Sequence, residues 1–455
     1  MSSVRKLVGA TTVAALCLVA AGCTSINAEG PTPSPSPSLS TTPASSSPEV
    51  KLHFAVYGND DEIESYVDLA NAFTKNNPNI TISLERAPDS GPAMNNLSHK
   101  FAQGNPPDVF LMEHEDLPAL MAEQRVQPVD QLLEDRQVDF GDGFQRDGLE
   151  AFSADSALQC MPHDVSPLVV YYNQRLLNLR SLVEDDEEPP TAEDGWTWEQ
   201  FAQAANKMSR GRTKGVYIQP RLEEIAPFIR SAGGEVVDDI SAPTTLTLSD
   251  GDTREALEQV LTLARDPQLT PTRTALQRQS AVDRFKHGRI GMIMGTRELT
   301  PELRTAKDLD FEVMPLPSLG RYRTITSMSG YCISSRTDNL QAAADFLAFA
   351  VGREGATITT TGGYVVPSNL QVAHSPAFAQ PGQEPANSFV FNEGVRRADP
   401  VPFVRQWPEV VEEIQPFLEK MFYSPVIADL ETLTEKIDTA SQPILAPDEE
   451  SPPAE

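Results

Sequence analysis

The sequence predicts an α/β fold in two lobes, and two observations carry that prediction. A strand–helix–strand pattern recurs along the chain. The patterned region, from Val50 to about Ile444, holds roughly 390 residues, more than one hydrophobic core usually supports.

The pattern is clearest where it starts. Leu52, Phe54 and Val56 alternate with less apolar neighbours at the period of a strand. Gly58-Asn59-Asp60-Asp61 breaks the strand and supplies side chains that cap a helix. Ile63, Tyr66, Val67, Ala70 and Phe73 then recur at helical spacing until Asn76-Asn77-Pro78 stops them, and Ile80, Ile82 and Leu84 alternate again. This is a βαβ unit with a parallel strand pair. Asp108 to Met112 reads as a buried strand followed by a helix from Leu117 to Gln124, and Leu168 to Tyr172 as another apolar strand. Thr197-Trp198-Glu199-Gln200 has the form of a capping box, with Phe201, Ala205 and Met208 continuing the buried face. Ile290 to Met294, Phe311 to Met314 and Tyr331 to Ser334 read as strands, and Leu340 to Val351 and Trp407 to Phe422 as helices. The expected architecture is helices covering largely parallel sheets. In open α/β sheets ligands bind beyond the carboxyl ends of the strands, which directs attention to Tyr57–Asn59, Met112–Asp116 and Gly295–Glu298.

The two ends of the chain read differently. Arg5 and Lys6 precede an apolar run from Leu7 to Ala21, too short for a membrane span but of the form of an export signal, residues 1–22. Val19-Ala20-Ala21-Gly22-Cys23 closes that run and resembles a bacterial lipobox, with Ala20 where Leu is usual. The resemblance implies a lipid on Cys23 and attachment at the outer face of the cell membrane; the alternative is an ordinary cleaved signal in which Cys23 has no role. The Ser/Thr/Pro/Ala-rich segment that follows, to residue 49, has too little apolar surface to fold. Extended at about 3.1 Å per residue it reaches roughly 80 Å as a tether. Residues 446–455 form an acidic, proline-punctuated tail expected to be disordered.

Composition narrows the function. Sixty-five acidic residues against 36 Lys and Arg, a net charge of −29, disfavour a nucleic-acid partner, which requires a basic footprint. With Cys17 in the signal and Cys23 in the lipobox, Cys160 and Cys332 remain for the folded region; outside the cell they can form a disulfide or remain two buried thiols. No nucleophile elbow, phosphate-binding loop or zinc-binding histidine pair is present, and neither metal nor cofactor is expected. His114-Glu115-Asp116 lacks metal-ligand spacing. The run Glu184–Glu188 reads as a solvated loop. Glu113, Glu115, Asp164 and Glu223 could supply the carboxylate pair of a secreted glycoside hydrolase, the enzymatic alternative.

Several segments, in order, resemble one family. VKLHFAVYGNDDEIESYVDLANAFTKNNPNITISLE, GNPPDVFLMEHEDLPALMAEQRVQPVDQLLED, MPHDVSPLVVYYNQRLL, GWTWEQFAQAANKMSRG and SMSGYCISSRTDNLQAAADFLAFAVGREG are similar to the bacterial extracellular solute-binding proteins of the maltose-binding type. The resemblance implies a two-lobed periplasmic-binding-protein-like fold of type II, with hinge-joined lobes around a central ligand cleft. It implies residues 50–163 plus 328–372 in one lobe and 164–327 plus 373–445 in the other. It also implies a monomer, not an enzyme, that hands a small carbohydrate-like solute to ABC permease subunits.

Carried over residue by residue, the resemblance implies ligand contacts from Met112 and Glu115 after a strand and from Ser166 at the hinge. It adds Arg221 and Glu223 before a helix, Arg297 where relatives stack an aromatic, and Trp407 as a stacking platform. Tyr57, Tyr331 and Tyr364 are looser candidates at strand ends and a Gly-rich turn. Maltodextrin binders stack pyranose faces on several aromatic rings, and Met112 and Arg297 stand where two of those rings are expected. Arg221 and Arg297 together would suit an anionic solute such as a sugar acid or a glycerophosphodiester.

Overall fold

The structure is a computed structural model that describes residues 49–426 and 429–447. The segments expected to form the export signal, the lipid-bearing Cys23, the tether up to residue 48 and the acidic tail from residue 448 lie outside the described residues.

Among the described residues, twelve strands and their helices build the two-lobed α/β fold. The strands are β1 (Val50–Tyr57), β2 (Ile80–Ala87), β3 (Val109–Glu113), β4 (Val126–Gln127), β5 (Ser153–Ala154), β6 (Ala157–Leu158), β7 (Met161–Pro167), β8 (Val169–Asn173), β9 (Lys214–Tyr217), β10 (Ile290–Gly295), β11 (Phe311–Met314) and β12 (Thr326–Ser334). The first sheet runs β2-β1-β3-β12-β4, with β7 also paired to β12; the second runs β11-β8-β10-β9. β5 and β6 form a small hairpin.

The opening βαβ unit forms as its residue pattern requires. β1 and β2 pair in parallel from Val50↔Ile80 to Tyr57↔Ala87. Between them the helix Asp60–Asn76 is capped by Asn59, whose side chain accepts from the amides of Asp61 and Glu62 at 3.1 and 3.0 Å. Its Ile63, Tyr66, Leu69, Ala70 and Phe73 lie against the core of the first sheet, where Leu52 and Phe54 are wholly buried. The capping box at Thr197 also forms: the Gln200 amide donates to its hydroxyl and its own amide donates to the Gln200 side chain.

The second sheet is covered on both faces, which explains the unbroken apolar runs of its strands. Val169 and Tyr171 of β8, with Phe311 and Val313 of β11, face a core that contains Phe285 and Phe391. Val170, Tyr172 and Met314 face the other, with Trp196, Phe201 and Phe228.

The expectation of largely parallel sheets needs correction, since both sheets are mixed. β1 pairs in parallel with β2 and β3, and β10 with β9, but β12 runs antiparallel to β3, β4 and β7, and β8 antiparallel to β10 and β11. The reason is topological. The chain leaves the first lobe through β7 into β8 and returns through β12, so the outgoing and returning strands lie side by side in opposite directions. They pair from Met161↔Tyr331 to Pro167↔Thr326, with a register shift between Ser329 and Gly330. At that shift a side chain on Gly330 would press into the Phe152 ring, so glycine belongs there.

Cys160 and Cys332, both fully buried with Cα atoms 4.5 Å apart, are joined by a disulfide across this junction. Among the described residues no helix is long and apolar enough to cross a membrane.

A bond that closes 172 residues constrains the unfolded chain strongly. Replacing both cysteines by alanine should lower unfolding free energy in denaturant by about 2–5 kcal/mol; an unchanged midpoint and slope would refute a stabilising role.

Candidate ligand cleft

Between the lobes lies a cleft of about 460 Å³. One wall is the end of β3 and the turn after it, with Glu113, His114 and Glu115; the opposite wall carries Arg221, Glu223, Thr296 and Glu298; the floor is the crossing segment, Leu168 and Ile325–Met328. Val401 borders this cleft and two adjoining recesses, one of about 400 Å³ beside His114, Asp399 and Phe403, the other of about 190 Å³ beside Trp407. The loop of residues 398–404 thus forms a common rim. Phe403 lies 5.3 Å from the His114 ring at a tilt of 30°, and Phe152 packs against that ring edge-on at 5.5 Å. His114 Nε2 lies 3.0 Å from the Ala151 carbonyl, and burial holds its pKa below the usual histidine value.

Carboxylates dominate the walls. The Tyr57 hydroxyl donates to Glu113 at 2.6 Å. Burial, then the charges of Glu298, Glu115 and Asp116, still lift the Glu113 pKa to about 7. Burial, then Glu298 and Glu113, lift Glu62 to about 8. Gly58, at φ +140, lets the Glu62 side chain cover the turn after β1, where a Cβ would collide with its carboxylate. Burial, then Glu223 and Asp116, raise Glu115 to about 7 against the opposing pull of Arg221. Glu115 is exposed at its outer edge, so solvent screens it more than Glu113. Burial also raises Glu298.

Of the ten ligand-contact residues expected from sequence, Glu115, Arg221 and Glu223 meet in the cleft. The Arg221 Nε stands 3.5 Å from Glu223, and more than half of its side chain is exposed. Tyr57 stands just behind, acting through Glu113. Ser166 is buried in β7 and donates to Asp164 at 2.7 Å; it supports the crossing strand. Tyr364, largely buried, lies near Asn59, Asp61 and Glu62.

Four expectations need correction. Met112 is buried in the core of the first sheet. Arg297 is wholly buried and faces away from the cleft: its Nη1 donates to Ser388 and its Nη2 to the Phe378 carbonyl, both at 3.1 Å, with Phe378 and Phe391 beneath the guanidinium. Tyr331 is a core residue stacked on His163 at 4.5 Å. Trp407 is buried in the core of the second lobe and borders the smaller recess, not the cleft. In turn, Glu62, Glu298, His114, Asp399, Val401 and Phe403 had no place among the expected contacts. Glu298 and His114 lay within the post-strand segments already singled out, whereas nothing in local spacing marked residues 398–404.

Comparison with known proteins places this geometry. The family model described as bacterial extracellular solute-binding protein matches residues 68–386. Among solved structures, an ABC substrate-binding protein from Listeria monocytogenes in complex with cycloalternan is 18% identical, with a TM-score of 0.75 over 86% of this chain and 98% of that one. The sugar-binding protein MalE from Xanthomonas citri is 18% identical, with a TM-score of 0.73 over 87% and 97%. The Thermus thermophilus maltotriose-binding protein, bound with maltotriose, is 18% identical with a TM-score of 0.68 over 86% and 99%. At these identities the structures establish a shared fold.

The raised pKa of Glu113 has a definite consequence. Glu113 holds its proton to higher pH in the folded chain than in the unfolded one, so ionising it between about 4.5 and about 7 costs stability. Glu113→Gln keeps an acceptor for Tyr57 and removes that cost. The melting midpoint of E113Q relative to the parent should therefore rise by about 2 °C or more between pH 5 and pH 8. A difference that stays flat, or falls, across that range would show that Glu113 is not held out of its ordinary range.

Proposed function

This chain belongs to the bacterial extracellular solute-binding proteins, and from that membership we propose that it captures a small carbohydrate or carbohydrate-like solute and delivers it to the permease subunits of an ABC importer. The observation that carries the reading is the cleft itself. It lies between two α/β lobes and is lined by post-strand loops from both, and its 460 Å³ falls within the range of small-molecule sites. Polar side chains crowd its walls and the Phe403–His114 pair offers an apolar face, the combination that suits a polyhydroxylated ring.

We assign residues 50–163 plus 328–372 to one lobe and 164–327 plus 373–445 to the other. The lobes close on solute about the β7–β12 crossing, solute contact with both walls favouring the closed state. The ligand contacts of this reading are Glu113, Glu115, Arg221, Glu223, Glu298 and Phe403. The protein is exported and held at the outer face of the cell membrane by a lipid on Cys23, and the Pro/Ser-rich tether sets its reach. It works as a monomer and without catalysis. The anionic-solute alternative loses its ground, because Arg297 is turned into the core and Arg221 is engaged by Glu223.

Thermal unfolding against a panel of neutral, amino and acidic sugars tests this reading. A ligand at a hundredfold excess over its Kd adds about 2.7 kcal/mol to stability and raises the midpoint by several degrees. Phe403→Ala should weaken the binding of that ligand by roughly 3- to 10-fold, about the worth of one aromatic contact. Product release from chromogenic glycosides would instead support hydrolysis and contradict a pure binding role.

A further inference from the structure

We propose that the solute of this cleft carries a positive charge: an amine-bearing sugar or a similarly basic polyol. The inference rests on the solute-binding reading above and names the chemical class of ligand for the same cleft.

Negative groups enter the cleft and its recesses from both lobes. Glu113 and Glu115 come from the end of β3, Glu298 follows β10, Glu223 opens the helix Leu222–Ala232, and Asp399 comes from the rim loop. Glu62 lies close enough to Glu298 and Glu113 for their charges to act on it. The positive groups at these walls are already engaged. Arg221 faces Glu223 at 3.5 Å, and Arg230 is shared between Glu235 and Asp399. His114 is buried with its pKa lowered, and Arg297 points into the core.

Asp399 adds an independent observation. Only 8% of it is exposed, yet it lines both recesses. Its Oδ1 stands 3.7 Å from Arg230 and from Arg323, while its Oδ2 meets no donor. A buried carboxylate oxygen left unpaired costs stability, and an N–H of the solute would supply the missing donor, although the charge of Asp399 itself is already met by the two guanidiniums.

The physical consequence is selectivity by charge. Burial first, and then the charges of neighbouring carboxylates, make ionisation of Glu62 and Glu113 costly and hold them near pKa 8 and 7. A cation between them relieves that repulsion from both walls at once and so favours closure; an anion adds to it. A neutral sugar can be hydrogen-bonded by the same groups but leaves their repulsion in place. A bare metal ion fits less well, because no cluster of metal-binding side chains occurs among the described residues.

Three 1,4-linked trimers separate the cases at neutral pH in titration calorimetry: a glucosamine trimer, cellotriose and a galacturonate trimer. The glucosamine trimer should bind at least about tenfold more tightly than cellotriose. That preference should shrink as salt is raised and largely vanish in an E113Q/E298Q double variant. As a ligand-independent measure, the thiol of a Ser327→Cys variant, exposed on the cleft floor, should favour a cationic over an anionic methanethiosulfonate by about tenfold more than a free thiol does. Cellotriose or the galacturonate trimer binding as tightly as the amine, or thiol selectivity equal to that of a free thiol, overturns the charge assignment and leaves the solute-binding reading intact. Silence from all three trimers and from the wider sugar panel overturns both.

Discussion

Strands β7 and β12 lie antiparallel from Met161↔Tyr331 to Pro167↔Thr326, and the cleft exists because of how they are joined. They are the outgoing and returning chain between two separately packed sheets, so the gap between the lobes can open only at their far ends. The junction is fixed from several directions. The Cys160–Cys332 disulfide locks its first-lobe end. Asp164 accepts from Ser166 and from the Val366 amide, which ties in the segment leading to the late helices. The Thr324 hydroxyl donates to the Leu168 carbonyl just beyond the crossing. A rigid seam with free outer edges is what hinge closure requires.

The chemistry of the cleft follows from where strands end. β3 and β10 stop on opposite sides of the seam, and residues at and just past their ends, Glu113 to Glu115 on one side and Thr296 and Glu298 on the other, face each other across the gap. The rim loop of residues 398–404 then closes a third side and brings Phe403 onto His114. Water is partly excluded from this space, and the carboxylates there bind protons more readily than exposed ones do. Charge compensation is therefore the property by which such a cleft distinguishes one solute from another.

Much of the fold was legible because periodicity reports burial directly. The helices Leu340–Val351 and Asp60–Asn76, and the strand Phe311–Met314, lie where their apolar spacing placed them. The mixed direction of the sheets was not legible, since strand pattern reports which faces are buried but not which neighbour is chosen. The site was half legible for a related reason. Two expected contacts, Met112 and Arg297, are each one residue before a group that does face the cleft, Glu113 and Glu298. In β3 the strand alternates faces at every residue, so Met112 enters the core where Glu113 faces the cleft; Arg297 lies in the turn after β10, and its neighbour Glu298 takes the cleft side. Arg297 shows the cost of reading charge as exposure: its guanidinium is held by Ser388, the Phe378 carbonyl and two aromatic faces, none of them near it in sequence. Phe403 and Asp399 were beyond sequence reasoning because a loop without periodicity brings them in from the far end of the chain.

The central claim is that solute bridges the two lobes and draws them together about the β7–β12 seam. The most direct test places spin labels at exposed positions of each lobe, on Asp135→Cys and Glu258→Cys, and measures their separation with and without a saturating solute. The account predicts a distance distribution that shortens by several ångströms and narrows when solute is bound. A bound solute that leaves the distribution unchanged would contradict it.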